Sequence, residues 1–137
     1  MTKLKNRKTF IKELIGTFPQ IKSEVLDEDY RKFVSLQIGC FRHFTQKAID
    51  TGDLETVKKC FEFVDKSFET VVFEIENSLM ISYLGKLKIA KDSEVEKLLP
   101  IKLKKAKEEL GAYYESLSKD ERLNKFLDDI KGDLSSS

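Results

Sequence analysis

Apolar residues recur at helical spacing almost from end to end, and residues that would break a helix are scarce. The 137-residue chain holds only 2 Pro and 6 Gly. Apolar positions at i, i+3 and i+4 turn one face of a helix toward a core, whereas a half-buried strand needs strict alternation. No stretch alternates strictly, so no strand is expected. So little punctuation implies long elements joined by short connections. The expected fold is therefore all-α: one domain of about six or seven helices, as an antiparallel bundle or a short stack of helical hairpins. It covers residues 1–134, and residues 135–137 form a disordered tail.

The elements can be placed in order. Phe10, Ile11, Leu14, Ile15 and Phe18 mark a first helix, which Pro19 ends. Asp27 is an expected N-cap for a long second helix with Val34, Ile38, Phe41, Phe44 and Ala48 on its inner stripe. Gly52 stops that helix, and Asp53 caps the next. Leu54, Val57, Phe61, Val64 and Phe68 then repeat at 3-4-3-4 spacing. Glu55–Lys59 and Glu62–Lys66 are i, i+4 pairs in the favoured order, each contributing ~0.2–0.5 kcal/mol if closed.

Residues 70–87 differ. Their apolar residues surround the helix axis, and only Glu74, Glu76 and Lys86 are charged. That pattern predicts the central helix. Ser93-x-x-Glu96 and Ser118-x-x-Glu121 read as capping boxes. Leu99 must leave the α region before Pro100, which suits the first turn of the following helix. That helix carries Leu103, Ala106, Leu110, Tyr113 and Leu117; the last carries Leu123, Phe126, Leu127 and Ile130.

Composition narrows the function classes. Ten Phe and four Tyr oppose disorder, although charged residues make up 36%. No apolar run approaches the ~20 residues of a membrane span. The basic start meets Lys12 and Glu13 before any long apolar core, so no signal peptide is expected. Cys40 and Cys60 lack metal-binding spacing and read as buried thiols in a reducing cytoplasm. Cys40 and His43 lie one helical turn apart, but a structural zinc site wants four ligands, and His43 is the sole histidine. No nucleophile–base–orienter set, Gly-rich phosphate loop or HExxH motif is present. The expectation is a non-enzymatic chain with no catalytic residues, cofactor or metal.

Polar residues on the central segment have two readings. Glu74, Ser78 and Ser82, with Gly85 near the same line, form either a small-residue stripe for close helix approach or a polar binding seam. The lysines of 97–107, joined by Lys86, Lys88 and Lys91, have no interleaved aromatics. A solvated face fits them better than a nucleic-acid site.

The net charge of +1 is a cancellation between blocks. Residues 1–49 sum to +5, 50–76 to −5, 86–107 to +5 and 108–137 to −4. An acidic face on 50–76 can steer a basic protein partner. The expected contact residues are Asp53, Glu55, Glu62, Asp65 and Glu69, with Phe63 as anchor. Phe63 and Phe73 both lie off the main apolar stripes inside this acidic block.

Residues 48–87 carry a resemblance. The run from Ala48 through Gly52-Asp53 to Glu69, followed by the segment ending in Ser82-Tyr83-Leu84, resembles a family of small, all-helical, functionally uncharacterised bacterial proteins. Such proteins are similar in kind to immunity proteins that neutralise secreted bacterial toxins. The resemblance implies an inhibitor that occludes the active site of a basic toxin, most readily a nuclease. The alternative is a helical adaptor or scaffold that holds a peptide or protein in a groove. Either way the expected partner is a protein, with no membrane involved.

Overall fold

A computed structural model describes residues 4–119 of the chain. Asn6 opens α1 (Arg7–Thr17) by accepting a hydrogen bond from Thr9 N at 3.0 Å. Pro19 ends it as expected, and its fixed φ starts a 3₁₀ turn, Pro19–Ile21, that runs into the short α2 (Lys22–Val25).

Asp27 does not cap the long helix. Its side chain accepts from Asp29 N at 2.9 Å, a local Asx-turn that holds residues 27–33 in turns. This stretch is polar and offers no stripe to bury, so helix formation waits until α3 (Val34–Thr51). The turn is fastened from a distance. Buried Gln37 of α3 donates to Val25 O at 3.0 Å and accepts from Arg7 Nε at 3.1 Å, while Arg7 also donates to Arg31 O.

Gly52 closes α3 in the left-handed region with φ 73°. Asp53 N reaches Ala48 O at 2.9 Å and Gly52 N reaches Ile49 O at 3.2 Å, a Schellman closure that a β-carbon at Gly52 would strain. Asp53 then caps α4 (Leu54–Ser67). The α3–α4 hairpin is thus set by two adjacent residues, as expected.

The central segment needs correction. It does not start at residue 70. Val71 and Val72 are extended, and Lys5 pairs with Val71 in an isolated parallel bridge. Lys5 N donates to Thr70 O at 2.7 Å, and Val72 N donates to Lys5 O at 3.0 Å. Two consecutive β-branched residues favour this conformation once a second chain segment offers backbone partners. Helix resumes as α5 (Phe73–Ser78) and continues as a π-helical stretch, Leu79–Leu84, closed by Gly85 N to Met80 O at 2.9 Å. Nor is the segment enclosed on every side. Ile75, Leu79, Tyr83 and Leu84 are buried, whereas Phe73 and Ile81 face outward.

Ser93 caps α6 (Glu94–Leu98) through Glu96 N at 3.2 Å. Glu96 returns its side chain to Asp92 N instead of Ser93 N, because Ser93 N already bonds Ala90 O. Leu99 is extended before Pro100, and α7 (Ile101–Lys119) follows. The second capping box and the expected last helix extend beyond the described residues. Among the described residues the fold is all-α, with seven α-helices in one domain.

Helix α3 packs against α2, α4, α5 and the π-helical stretch. Phe10, Leu14, Ile38, Phe41, Phe61 and Leu79 are wholly buried. Tyr83 joins α3 to the π-helical stretch. Its ring stacks on Phe41 at 4.9 Å, and its hydroxyl lies 2.9 Å from Thr45 Oγ1, which also donates to Phe41 O. The hydroxyl is fully buried, so this bond is its means of replacing water. Helix α7 crosses nearby: Leu103 is buried, and Lys107 Nζ donates to Leu84 O at 2.7 Å and Leu87 O at 2.8 Å. A β-carbon at Gly85 would stand 2.7 Å from Leu110 Cδ2, so Gly85 marks a close approach of α7.

Tyr83→Phe keeps the stacked ring and removes one of the two partners of Thr45 Oγ1. It is expected to lower stability by about 1 kcal/mol, read as a lower urea midpoint at unchanged slope. An unchanged midpoint would show that the hydroxyl contributes nothing.

Candidate functional site

The expected acidic face divides into residues used by the fold and residues left outside it. Asp53 is a cap: its carboxylate accepts from Thr56 Oγ1 at 2.7 Å and Thr56 N at 3.3 Å, and these bonds hold its pKa below the ordinary carboxylate value. Lys102 of α7 engages the far end of α4. Its Nζ lies 3.5 Å from Asp65 Oδ1 and 3.2 Å from Glu69 Oε1, and it donates to Asp65 O at 2.9 Å. Part of the −5 block is therefore answered by the following +5 block. Glu55 and Glu62 remain exposed. The pairs Glu55–Lys59 and Glu62–Lys66 are not closed; the ion pairs among the described residues are Lys5–Glu13, Lys97–Glu94 and the two on Lys102.

The two aromatics of this block have opposite fates. Phe63 lies against Phe10, Phe18 and Phe41, with ring centroids at 5.8, 5.7 and 5.7 Å. It is partly buried and packs against the core. Phe73 is 78% exposed at the start of α5, beside the exposed Glu74. Spacing alone places both rings off the main stripes. What separates them is their surroundings: Phe63 on α4 meets the aromatic cluster, and Phe73 at the start of α5 is exposed.

A second feature is a cleft of about 420 Å³ between α3, the α2–turn segment and the π-helical stretch. Arg42, His43, Ser35, Ser82 and Lys86 line it, with Glu24 and Tyr30 across from them. Gly39 lies between Ser35 and Arg42, and a β-carbon there would meet no atom within 4 Å. The π-helical stretch brings Ser82 to this cleft while Gly85 faces Leu110. The polar stripe is thus split between its two readings: Ser82 borders a polar cleft, and Gly85 serves close helix packing. The cleft draws on three chain segments, and its one local sequence sign is the Ser35, Gly39, Arg42 line at i, i+4, i+7.

The basic run is partly structural as well. Lys102 and Lys107 have the fold contacts given above, and Lys97 pairs with Glu94. Cys40 and Cys60 are buried free thiols. Burial, aided by the charge of Glu24, pushes the Cys40 thiol up to about 12; burial pushes Cys60 to about 11. Neither is a poised nucleophile. Among the described residues no three His, Cys, Asp or Glu side chains converge to hold a metal ion. No helix among them is long and apolar enough to cross a membrane.

The thiols predict an alkaline dependence. Both titrate later when folded than the ordinary 9.0. Their contribution is full below about pH 9 and is lost as pH rises through 11 and 12. Buried Tyr83, raised above 10.0, has the same sign. The Cys40→Ala/Cys60→Ala double variant should keep a larger share of its neutral-pH stability between pH 9 and 11 than the native chain, measured by urea unfolding. Equal fractional losses would refute this.

Neither a curated protein nor a solved structure matches the chain. A family described as a domain of unknown function, DUF7674, does match, over residues 11–126. This agrees with the resemblance to an uncharacterised helical family. The chain belongs to the DUF7674 family, and the matched span runs from within α1 through α7.

Proposed function

We propose that this chain is a non-enzymatic protein-binding domain, and most concretely an immunity-type inhibitor that covers a basic active site of a toxin. The observation that carries the reading is Phe73. A phenylalanine that is 78% exposed gives up roughly 1.5–3 kcal/mol of burial that a partner surface would recover. Exposed Glu74 follows it directly, and exposed Glu69 lies four residues before it in the chain. Aromatic residues, Phe included, are enriched at protein interfaces, with a polar rim around the contact core. Asp53 leaves the proposed contact set because it is a cap, and Phe63 leaves it because it is a core ring. Glu55, Glu62 and Glu69 stay as proposed steering charges, with Asp65 and Glu69 both paired to Lys102.

The adaptor reading has one supporting observation. An open apolar groove of about 630 Å³ runs between α1 and Leu26, bordered by Ile11 and Ile15. It lies on α1, so the two readings use different residues and can be separated.

The test is affinity purification from the native cell with the native chain, Phe73→Ala and Ile11→Ser. The inhibitor reading expects a basic partner that Phe73→Ala loses about tenfold or more and Ile11→Ser retains. Co-expression of the native chain should then rescue cells from that partner. Capture of the same proteins by Phe73→Ala as by the native chain would overturn the proposed face. Loss with Ile11→Ser alone, at unchanged circular dichroism, would favour the groove.

A further inference from the structure

We infer that the cleft between α3 and the π-helical stretch is a binding site for a small phosphomonoester. The inference is independent of the Phe73 face. Two permanent cations border one cleft, Arg42 from α3 and Lys86 just after the π-helical stretch. Neither forms an ion pair among the described residues. Arg42 Nε is buried without a hydrogen-bond partner, so the fold itself leaves this donor unsatisfied.

The donor set matches a phosphate better than a carboxylate. A phosphomonoester carries a charge near −2 and three terminal oxygens, each able to accept more than one hydrogen bond. Arg42 supplies a planar fork, Lys86 a second charge, and Ser35 and Ser82 two hydroxyls. A carboxylate has two oxygens and leaves part of this set unused. Gly39 keeps the space between Ser35 and Arg42 open.

The walls are held before any ligand arrives. Tyr83 ties α3 to the π-helical stretch by its stacking on Phe41 and its bond to Thr45. One turn along α3, Gln46 accepts from Lys88 N at 2.8 Å and donates to Lys88 O at 3.1 Å. Ser82 and Lys86 lie between these fastenings or next to them. Such pre-organisation lowers the ordering cost of binding. π-Helical turns recur at functional sites for the same reason, since they re-aim a side chain at little loss of backbone bonding.

Glu24 defines the rest of the ligand. It sits beside Cys40, and Ser35 and Arg42 lie to the other side of Gly39 on the helical projection. A carboxylate there disfavours a second anionic group and accepts from an amino or hydroxyl group. Tyr30 lines the same cleft. The ligand class is therefore a phosphomonoester of a small amino or polyhydroxy compound.

The experiment is calorimetric titration of the full chain with inorganic phosphate and with phosphoethanolamine, at matched ionic strength. Both should bind saturably. Arg42→Gln and Lys86→Gln should each weaken both ligands about tenfold or more. Lys104→Gln, on the exposed face of α7, should change neither. Glu24→Gln should weaken phosphoethanolamine while leaving inorganic phosphate as tight or tighter. Absence of saturable binding by both probes overturns the site. So does native affinity in Lys86→Gln, an exposed position where substitution leaves the core untouched.

Discussion

Tyr83 is the contact on which the arrangement depends. Its ring is stacked in the core on Phe41, and its hydroxyl needs a partner that only Thr45 supplies. Both partners lie on α3, one helical turn apart. A single side chain therefore sets both the depth and the rotation of the π-helical stretch against the longest internal helix. Ser82 and Leu84, its neighbours, follow by geometry: one borders the cleft and the other enters the core. Lys107 then caps the carbonyls of Leu84 and Leu87, so α7 is placed relative to the same stretch.

Polar side chains do much of the positioning in this molecule. Gln37 gathers α1, α2 and α3, Gln46 fastens residue 88, and Lys102 draws α7 to the end of α4. Each replaces lost water contacts with geometrically specific bonds. The individual contributions are modest, about 1 kcal/mol for a neutral bond, but they select one packing of helices whose apolar faces alone would tolerate several. The charge blocks acquire a second meaning from this. Some of their members are internal fasteners, and others, Glu55, Glu62 and Lys86 among them, are exposed and available to other molecules.

Where a local signal existed, the helical pattern was readable. Gly52-Asp53 specifies the α3–α4 hairpin through a backbone conformation and a cap, both properties of the residues themselves. Pro19, Ser93 and Pro100 act in the same local way. The start of the long helix was not readable, because Asp27 serves an Asx-turn as well as a cap and the choice depends on Gln37 and Arg7 holding the turn. Val71 and Val72 look helical in a period count and become extended because Lys5, far away in sequence, offers them a bridge. The site residues show the same division. Asp53 was legible as a cap, and its carboxylate is hydrogen-bonded to Thr56. Phe63 and Phe73 were equivalent in spacing and differ only in what surrounds them. The cleft could not be assembled beforehand, since its residues come from three segments whose relation is set by Tyr83.

The π-helical stretch fixes how the chain can vary in length. A π turn holds one residue more than an α turn between hydrogen-bonded partners. Removing one residue between Leu79 and Leu84 would restore ordinary α register, and everything after it would rotate by about 100°. Gly85 would leave Leu110, and Lys86 would swing away from Arg42. Adding a residue would do comparable damage in the other direction. Residues 85–91 form turns and irregular chain, with Lys88 anchored to Gln46, and cannot absorb such a rotation without losing that anchor. Insertions and deletions are therefore confined to places such as the turn at 27–33, and the spacing from Tyr83 to Lys86 behaves as a fixed measure within this fold.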